Sequence, residues 1–82
     1  MDSLMASIIM FAGTFAPKGW MYCDGSILPI AQNTALFSLL GTTYGGNGQT
    51  TFALPNLNTQ DPATDWGVKY IICVEGIYPS RP

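Results

Sequence analysis

The sequence has no histidine, only two cysteines and few charged residues. Without histidine, a serine or cysteine nucleophile lacks its commonest general base. The five acidic residues are scattered through turns, a linker and the N-terminus, whereas acid–base catalysis needs paired carboxylates. Two cysteines without a CxxC pair cannot supply the ligands of the usual zinc sites. We therefore predict a protein that is not an enzyme and that uses no metal and no cofactor.

The two cysteines, Cys23 and Cys73, lie far apart in the sequence and admit two interpretations. We favour two small buried apolar residues, because free cysteine is among the most buried residue types. A disulfide between them is the alternative that the sequence leaves open.

Positive charge is scarce, with three basic residues against five acidic ones and a formal net charge of −2. Nucleic-acid binding needs a clustered positive surface, and so does attraction to an anionic membrane. No apolar run approaches the length of about 20 residues that crosses a bilayer. Asp2 stands where a secretory signal would carry positive charge. The sequence thus predicts no nucleic-acid partner, no membrane span and no signal peptide.

Apolar residues are abundant by contrast, at 48 % of the chain, while charged residues make up 10 %. Globular domains usually have about 25 % charged residues. A chain of this size buries only about 60 % of the surface that it exposes when unfolded. The apolar excess therefore exceeds what one small core encloses and indicates self-association.

Four segments have the pattern of β-structure. Ala6–Gly13 is apolar at successive positions, which is typical of a strand covered on both faces. Val68–Gly76 is expected to be a second strand, apolar on both faces except at Lys69 and Glu75. Trp20–Cys23 and Ser26–Leu28 flank Asp24-Gly25, a strong tight-turn signal, so we expect them to form a hairpin.

One short helix is expected from about Ala31 to Leu40, and Gly41 is placed to end it in a left-handed conformation. Asn47-Gly48 is the strongest turn signal in the glycine-rich loop that follows. Gly41 and Gly46 have the spacing of a phosphate-binding loop, but Asn47 and Gly48 stand where that motif requires Lys and Ser or Thr. We interpret the loop as a structural feature in which threonines satisfy backbone groups.

These elements predict a small α+β fold, mainly of β-strands, with one short helix packed on them. Its expected core consists of large apolar residues from several elements: Trp20, Leu36, Phe37, Leu40, Phe52, Leu54 and Ile72. Two other aromatic residues, Tyr44 and Trp66, lie in polar surroundings, where a ring is expected to contact a subunit or a glycan.

Three blocks, "FAGTFAPKGWMYCDG", "QNTALFSLLGTTYGGNGQTTFALPNL" and "YIICVEGIYPSRP", cover about two thirds of the chain. Together they strongly resemble the phage tail collar domain family, which includes the bacterial microcystin-dependent proteins. The resemblance implies a structural module of phage tails and tail fibres without enzymatic activity. The length alone predicts that residues 1–82 form a single domain. The sequence leaves the localisation open, and without a clear signal peptide we expect synthesis in the cytoplasm and action in an extracellular or virion-like assembly.

The chain departs from the family pattern at two places. Asn58–Gly67 is a short bridge where relatives usually carry an Arg-Gly-Arg stretch and a long insert, so metal and receptor-binding features of that insert cannot be carried over. In the first strand, Ser7 and Ile9 stand where relatives typically have charged residues. An uncharged edge strand needs a partner to cover it.

We therefore hypothesise a self-assembling structural subunit that forms a filament, a ring or a trimer. Its contacts would lie in the two terminal segments and the first strand, at Leu4, Met5, Ile9, Ile77 and Tyr78. Two alternatives remain: a glycan-binding or adhesive module that uses Tyr44 and Trp66, and an adaptor that binds other tail or fibre proteins.

Overall fold

A computed structural model describes residues 3–57 and 69–80. These residues form mostly antiparallel strands and one short α-helix, as the sequence predicts. The elements in chain order are β1 (Ile8–Phe11), β2 (Trp20–Tyr22), β3 (Ile27–Pro29), a 3₁₀ turn (Ile30–Gln32), α1 (Thr34–Leu40), β4 (Thr51–Ala53) and β5 (Lys69–Cys73). The predicted bridge Asn58–Gly67, and Trp66 within it, lie outside the described residues.

A three-stranded antiparallel sheet in the order β1-β5-β2 joins both ends of the chain. Ile71, Ile72 and Cys73 of β5 are buried, which confirms that this apolar strand is covered on both faces. The same prediction is wrong for β1. Because β1 lies at the sheet edge, its residues Ile8 and Ile9 are exposed although their pattern matches that of β5.

The predicted hairpin between Trp20–Cys23 and Ser26–Leu28 is also wrong. β2 pairs with β5, while β3 pairs with β4 in a separate two-stranded sheet. The local turn chemistry is nevertheless present, since Gly25 has a φ of +79° and the Asp24 carboxylate accepts hydrogen bonds from the backbone N–H and the hydroxyl of Ser26. The Gly25 N–H bonds to the Pro55 carbonyl and not to the opposite strand of a hairpin. The chain therefore passes through this turn from one sheet to the other.

The helical segment is shorter than predicted and is divided at Asn33. Asn33 has a φ of −140° and a ψ of 40°, so it separates the 3₁₀ turn from α1. Its side-chain amide donates to the Pro29 carbonyl, and this local bond competes with helical geometry. Gly41 ends α1 with a positive φ of +58°, as predicted, but its ψ of −146° lies outside the left-handed helical region. Its N–H bonds to the Phe37 carbonyl.

The core lies between the two sheets and the helix. Its buried cluster contains four of the predicted residues together with Cys23 and Leu28: Leu36, Phe52, Leu54 and Ile72. Phe37 and Leu40 are only partly buried and pack against this cluster, because they lie on the flank of a helix of two turns. Trp20 is half-buried and lies outside the cluster, since its edge strand places it on the other face of the sheet from Ile72.

Candidate assembly surface

Among the strands that the structure describes, β1 is the most exposed apolar one, and one of its edges is free. Ile8, Ile9 and Met10 are 37 %, 45 % and 62 % exposed. Residues Ile8–Phe11 include no charge and no proline, the features with which proteins usually protect an edge from pairing. β5 occupies one side of the strand, so the backbone groups on the other side face outward. The edge is therefore suited to strand addition.

The two terminal segments run side by side near the start of β1. Leu4 and Ile77 form a parallel β-bridge, in which the Met5 N–H donates to the Ile77 carbonyl at 2.8 Å and the Ile77 N–H donates to the Ser3 carbonyl at 2.9 Å. The approach is close at Gly76, where a Cβ would lie 2.3 Å from the Ser3 oxygen. Leu4 and Ile77 are each 52 % exposed, so this pair adds an apolar surface to that of β1.

The five predicted contact residues are thus only partly brought together. Leu4, Met5 and Ile77 are neighbours, although Met5 points largely into the molecule and packs on the core. Tyr78 is 49 % exposed and its hydroxyl lies 2.6 Å from that of Ser38, which ties the C-terminal segment to α1. Sequence reasoning missed Met10, the most exposed residue of β1; its position on an edge strand was the only available signal.

Ala6 connects the N-terminal segment to β1 in an unusual conformation. Its φ is +71°, and it is the only residue other than glycine with a positive φ in the part of the chain that the structure describes. It occupies the third position of a turn closed by the Ser7 N–H and the Leu4 carbonyl at 3.1 Å. The Cys73 carbonyl accepts from the Ala6 N–H and the Cys73 N–H donates to the Ser7 carbonyl, so two residues oppose one in a β-bulge. An L-residue pays about 1–2 kcal/mol for this conformation.

Asn47 organises the glycine-rich loop. Its side-chain oxygen accepts three backbone N–H groups, from Gln49, Thr50 and Thr51, at 2.8, 2.8 and 3.1 Å. The Gly48 N–H donates to the Thr51 carbonyl, and Gly48 has a φ of +77°. The predicted turn at Asn47-Gly48 is confirmed. Its donors are satisfied within the loop, mostly by Asn47 and in one case by the Thr51 hydroxyl.

The two cysteines are buried and are not joined in a disulfide. Cys73 lies opposite Trp20, and the same register places Cys23 opposite Tyr70, three residues away along the strands. This offset corresponds to about 10 Å, whereas the Cα atoms of a disulfide lie within about 7 Å. Burial, with a smaller contribution from the neighbouring Asp24 carboxylate, raises the pKa of Cys23 to about 11. Cys23 is thus a core residue and not a nucleophile at neutral pH.

A groove of about 370 Å³ lies between Asn33–Leu36 at the start of α1 and the segment Val74–Gly76. Its polar groups are neutral amides and hydroxyls, apart from the Glu75 carboxylate. A single carboxylate does not form the pair that acid–base catalysis of glycosidic bonds requires.

Within residues 3–57 and 69–80, no group of three or more potential metal ligands comes together. In the same ranges, no helix has the length and apolar character of a membrane span.

The described residues form a small, mostly antiparallel β-structure with one short helix and eleven exposed large apolar side chains. The family model of the phage tail collar domain matches residues 6–62 of the 82-residue chain, well over half of its length. The chain therefore belongs to the phage tail collar domain family, a structural family of phage tails that is not known for enzymatic activity. Curated proteins give no sequence match to it.

Proposed function

We propose that this chain is a single-domain, α+β structural subunit of a phage tail or tail fibre that assembles with further copies of itself. The observation that carries this proposal is the uncharged edge of β1, where Ile8, Ile9 and Met10 are exposed. Family membership supports the structural role. The contact is strand addition at β1, joined by the neighbouring apolar pair Leu4 and Ile77.

The topology defines how copies can join. β1 is antiparallel to β5 and β5 is antiparallel to β2, so the two edge strands of the sheet run parallel to each other. Pairing of β1 with β1 of a second copy about a two-fold axis closes a dimer. Pairing of β1 with a different surface leaves a free β1 on every copy, which gives a filament or, if the rotation closes, a ring.

The apolar contact at β1 alone is too small for stable assembly, so the terminal segments must contribute to the interface. Burying an exposed apolar side chain contributes about 1.5–3 kcal/mol, so a half-exposed residue such as Ile9 contributes about 1 kcal/mol. Three such residues on each of two copies give about 6 kcal/mol. Loss of translational and rotational freedom costs about 4–15 kcal/mol. Stable assembly therefore requires the backbone hydrogen bonds of the added strand and the Leu4–Ile77 surface as well.

The test is the substitution Ile9→Lys, with Ile27→Lys as the matched control. Both isoleucines lie on strands and are well exposed, at 45 % and 58 %, but Ile27 is on the other sheet. Because the lysine charge must be desolvated when β1 is covered, Ile9→Lys should give a folded, smaller species in light scattering while Ile27→Lys assembles like the unchanged chain. Assembly that survives Ile9→Lys would show that β1 is not the interface.

A second candidate function is a glycan-binding or adhesive surface that uses Tyr44 and Trp66. The observation that favours it is the Tyr44 ring, which is 50 % exposed within the glycine-rich loop. A glycan array compares the unchanged chain with Tyr44→Ala and Trp66→Ala. Binding lost with either ring, while the oligomer stays intact, would favour this function over a purely structural one.

A further inference from the structure

The N-terminal segment Ser3–Met5 is attached to the rest of the domain by few interactions. Two backbone hydrogen bonds join it to Ile77, and the side chains of its Leu4–Ile77 bridge are both half exposed. Met5 adds a contact to the core. The segment then enters β1 through Ala6, whose positive φ opposes this arrangement. A short connection under strain is the feature that favours exchange of an element between identical chains.

We propose that Ser3–Met5 exchanges between two copies of this chain, with Ala6 as the hinge. This inference rests on the self-assembly proposed above and specifies its partner and its contact. In the exchanged state, Leu4 of each copy forms its bridge with Ile77 of the other, so the two hydrogen bonds of that bridge are made again between chains, while the turn bond from the Ser7 N–H to the Leu4 carbonyl is lost. Ala6 opens to the extended backbone conformation that a residue with a Cβ prefers, which favours the exchanged form.

The reach of the segment sets the geometry of the pair. Three extended residues span about 10 Å, so Ile77 of the second copy must lie next to the start of the first copy's β1. The bulge at Ala6 and Ser7 now ends the pairing of β1 with β5 at this point. When the bulge opens, the residues of Ser3–Met5 extend the strand β1. A copy that receives this segment is therefore also next to the edge of β1. The exchanged segment then adds its contacts to those of β1, which are too few alone.

A disulfide trap tests the exchange directly. Leu4 and Ile77 are bridge partners on the surface, so Leu4→Cys and Ile77→Cys place two thiols opposite each other. A chain with only the first change and a tagged chain with only the second are unfolded together, refolded and oxidised with glutathione disulfide. The native thiols are buried, and the unchanged chain under the same treatment gives the background. Exchange predicts a covalent heterodimer in the mixture and a doubly linked dimer for the chain that carries both changes.

The hinge is tested separately by Ala6→Gly. Glycine adopts a positive φ without the penalty, so it stabilises the closed form and should raise the dissociation constant of the assembly at least about tenfold. Ala12→Gly is the matched control, because Ala12 is an exposed alanine whose φ is not positive, and it should leave the dissociation constant unchanged.

The exchange is overturned if the doubly substituted chain closes only within itself and the mixture gives no more heterodimer than the background. Assembly that persists in that case leaves the proposed structural function standing without the exchange. A chain that is a monomer in every sample overturns both. A dissociation constant that responds equally to Ala6→Gly and Ala12→Gly also contradicts Ala6 as the hinge.

Discussion

Two glycines, Gly46 and Gly41, should respond very differently to the same substitution. Both have a positive φ, +90° and +58°, so an alanine is strained at either position. At Gly46 a Cβ would lie 2.3 Å from the Cα of Phe52 and 2.6 Å from the Thr51 oxygen. At Gly41 no atom lies within 4 Å of the added Cβ. Gly41→Ala therefore isolates the backbone cost, and Gly46→Ala adds a steric overlap to it.

The expected magnitudes follow from these contacts. A positive φ costs an L-residue about 1–2 kcal/mol, which is the whole effect expected for Gly41→Ala. The atoms near Gly46 belong to the backbone at the start of β4, and Phe52 is fully buried, so neither side can move without disturbing the core. Overpacking of this kind adds about 1–3 kcal/mol. Gly46→Ala should thus cost about 2–5 kcal/mol, a large part of the roughly 4–12 kcal/mol expected for a domain of 82 residues.

Urea unfolding followed by circular dichroism measures both costs. The measurement is made in chains that also carry Ile9→Lys, so that dissociation of an assembly does not add to the unfolding free energy. With a slope of about 1–2 kcal/mol per molar urea, Gly41→Ala should lower the midpoint by about 1 M, while Gly46→Ala should lower it by roughly 2–3 M. Equal losses at the two positions would refute the reasoning, because they would show that the loop does not pack on β4 at Gly46.

Two further predictions concern Asn47 and Cys23. Asn47→Ala should lower the unfolding free energy by about 1.5–2 kcal/mol, because three exposed N–H groups lose their acceptor, whereas Asn47→Asp keeps that acceptor and should change the same urea midpoint little. An equal loss in both variants would show that the side-chain oxygen is not the anchor. The raised pKa of Cys23 predicts slow alkylation of the folded chain at pH 8. Since an unperturbed thiol ionises at 9.0 and Cys23 at about 11, folding stability should fall as the pH rises from 9 to 11; rapid alkylation at pH 8 would contradict the burial of Cys23.

The predictions that the structure confirms depend on interactions between residues close together in the sequence. The positive φ of Gly41, the turn at Asn47-Gly48 and the short helix before them depend on neighbours within a few residues, which the sequence displays directly. The buried strand β5 was predictable for a similar reason, since consecutive apolar residues such as Ile71, Ile72 and Cys73 are typical of a strand between two others.

Strand pairing was not predictable, because it depends on residues far apart in the chain. The turn signal at Asp24-Gly25 is genuine, yet the strand before it finds its partner in β5, about fifty residues later. Gly25 bonds to Pro55 and the chain crosses to a second sheet. A tight-turn dipeptide fixes the backbone conformation at the turn, and only the competition among strands for partners decides whether a hairpin follows. The positive φ of Ala6 could not be predicted from the sequence either, because no local pattern assigns a positive φ to alanine.

The contrast between β1 and β5 bears most directly on function. Apart from Lys69 at the start of β5, both strands are runs of apolar residues without the alternation that a half-exposed strand shows. β5 has neighbours on both sides within the chain, and Ile71 and Ile72 are buried there. β1 has such a neighbour on one side, and three of its four residues stay exposed. The sequence of β1 is that of a covered strand placed in an uncovered position. Because this mismatch is confined to the same corner as Leu4, Ile77 and the strained Ala6, that corner is where a second copy is expected to bind.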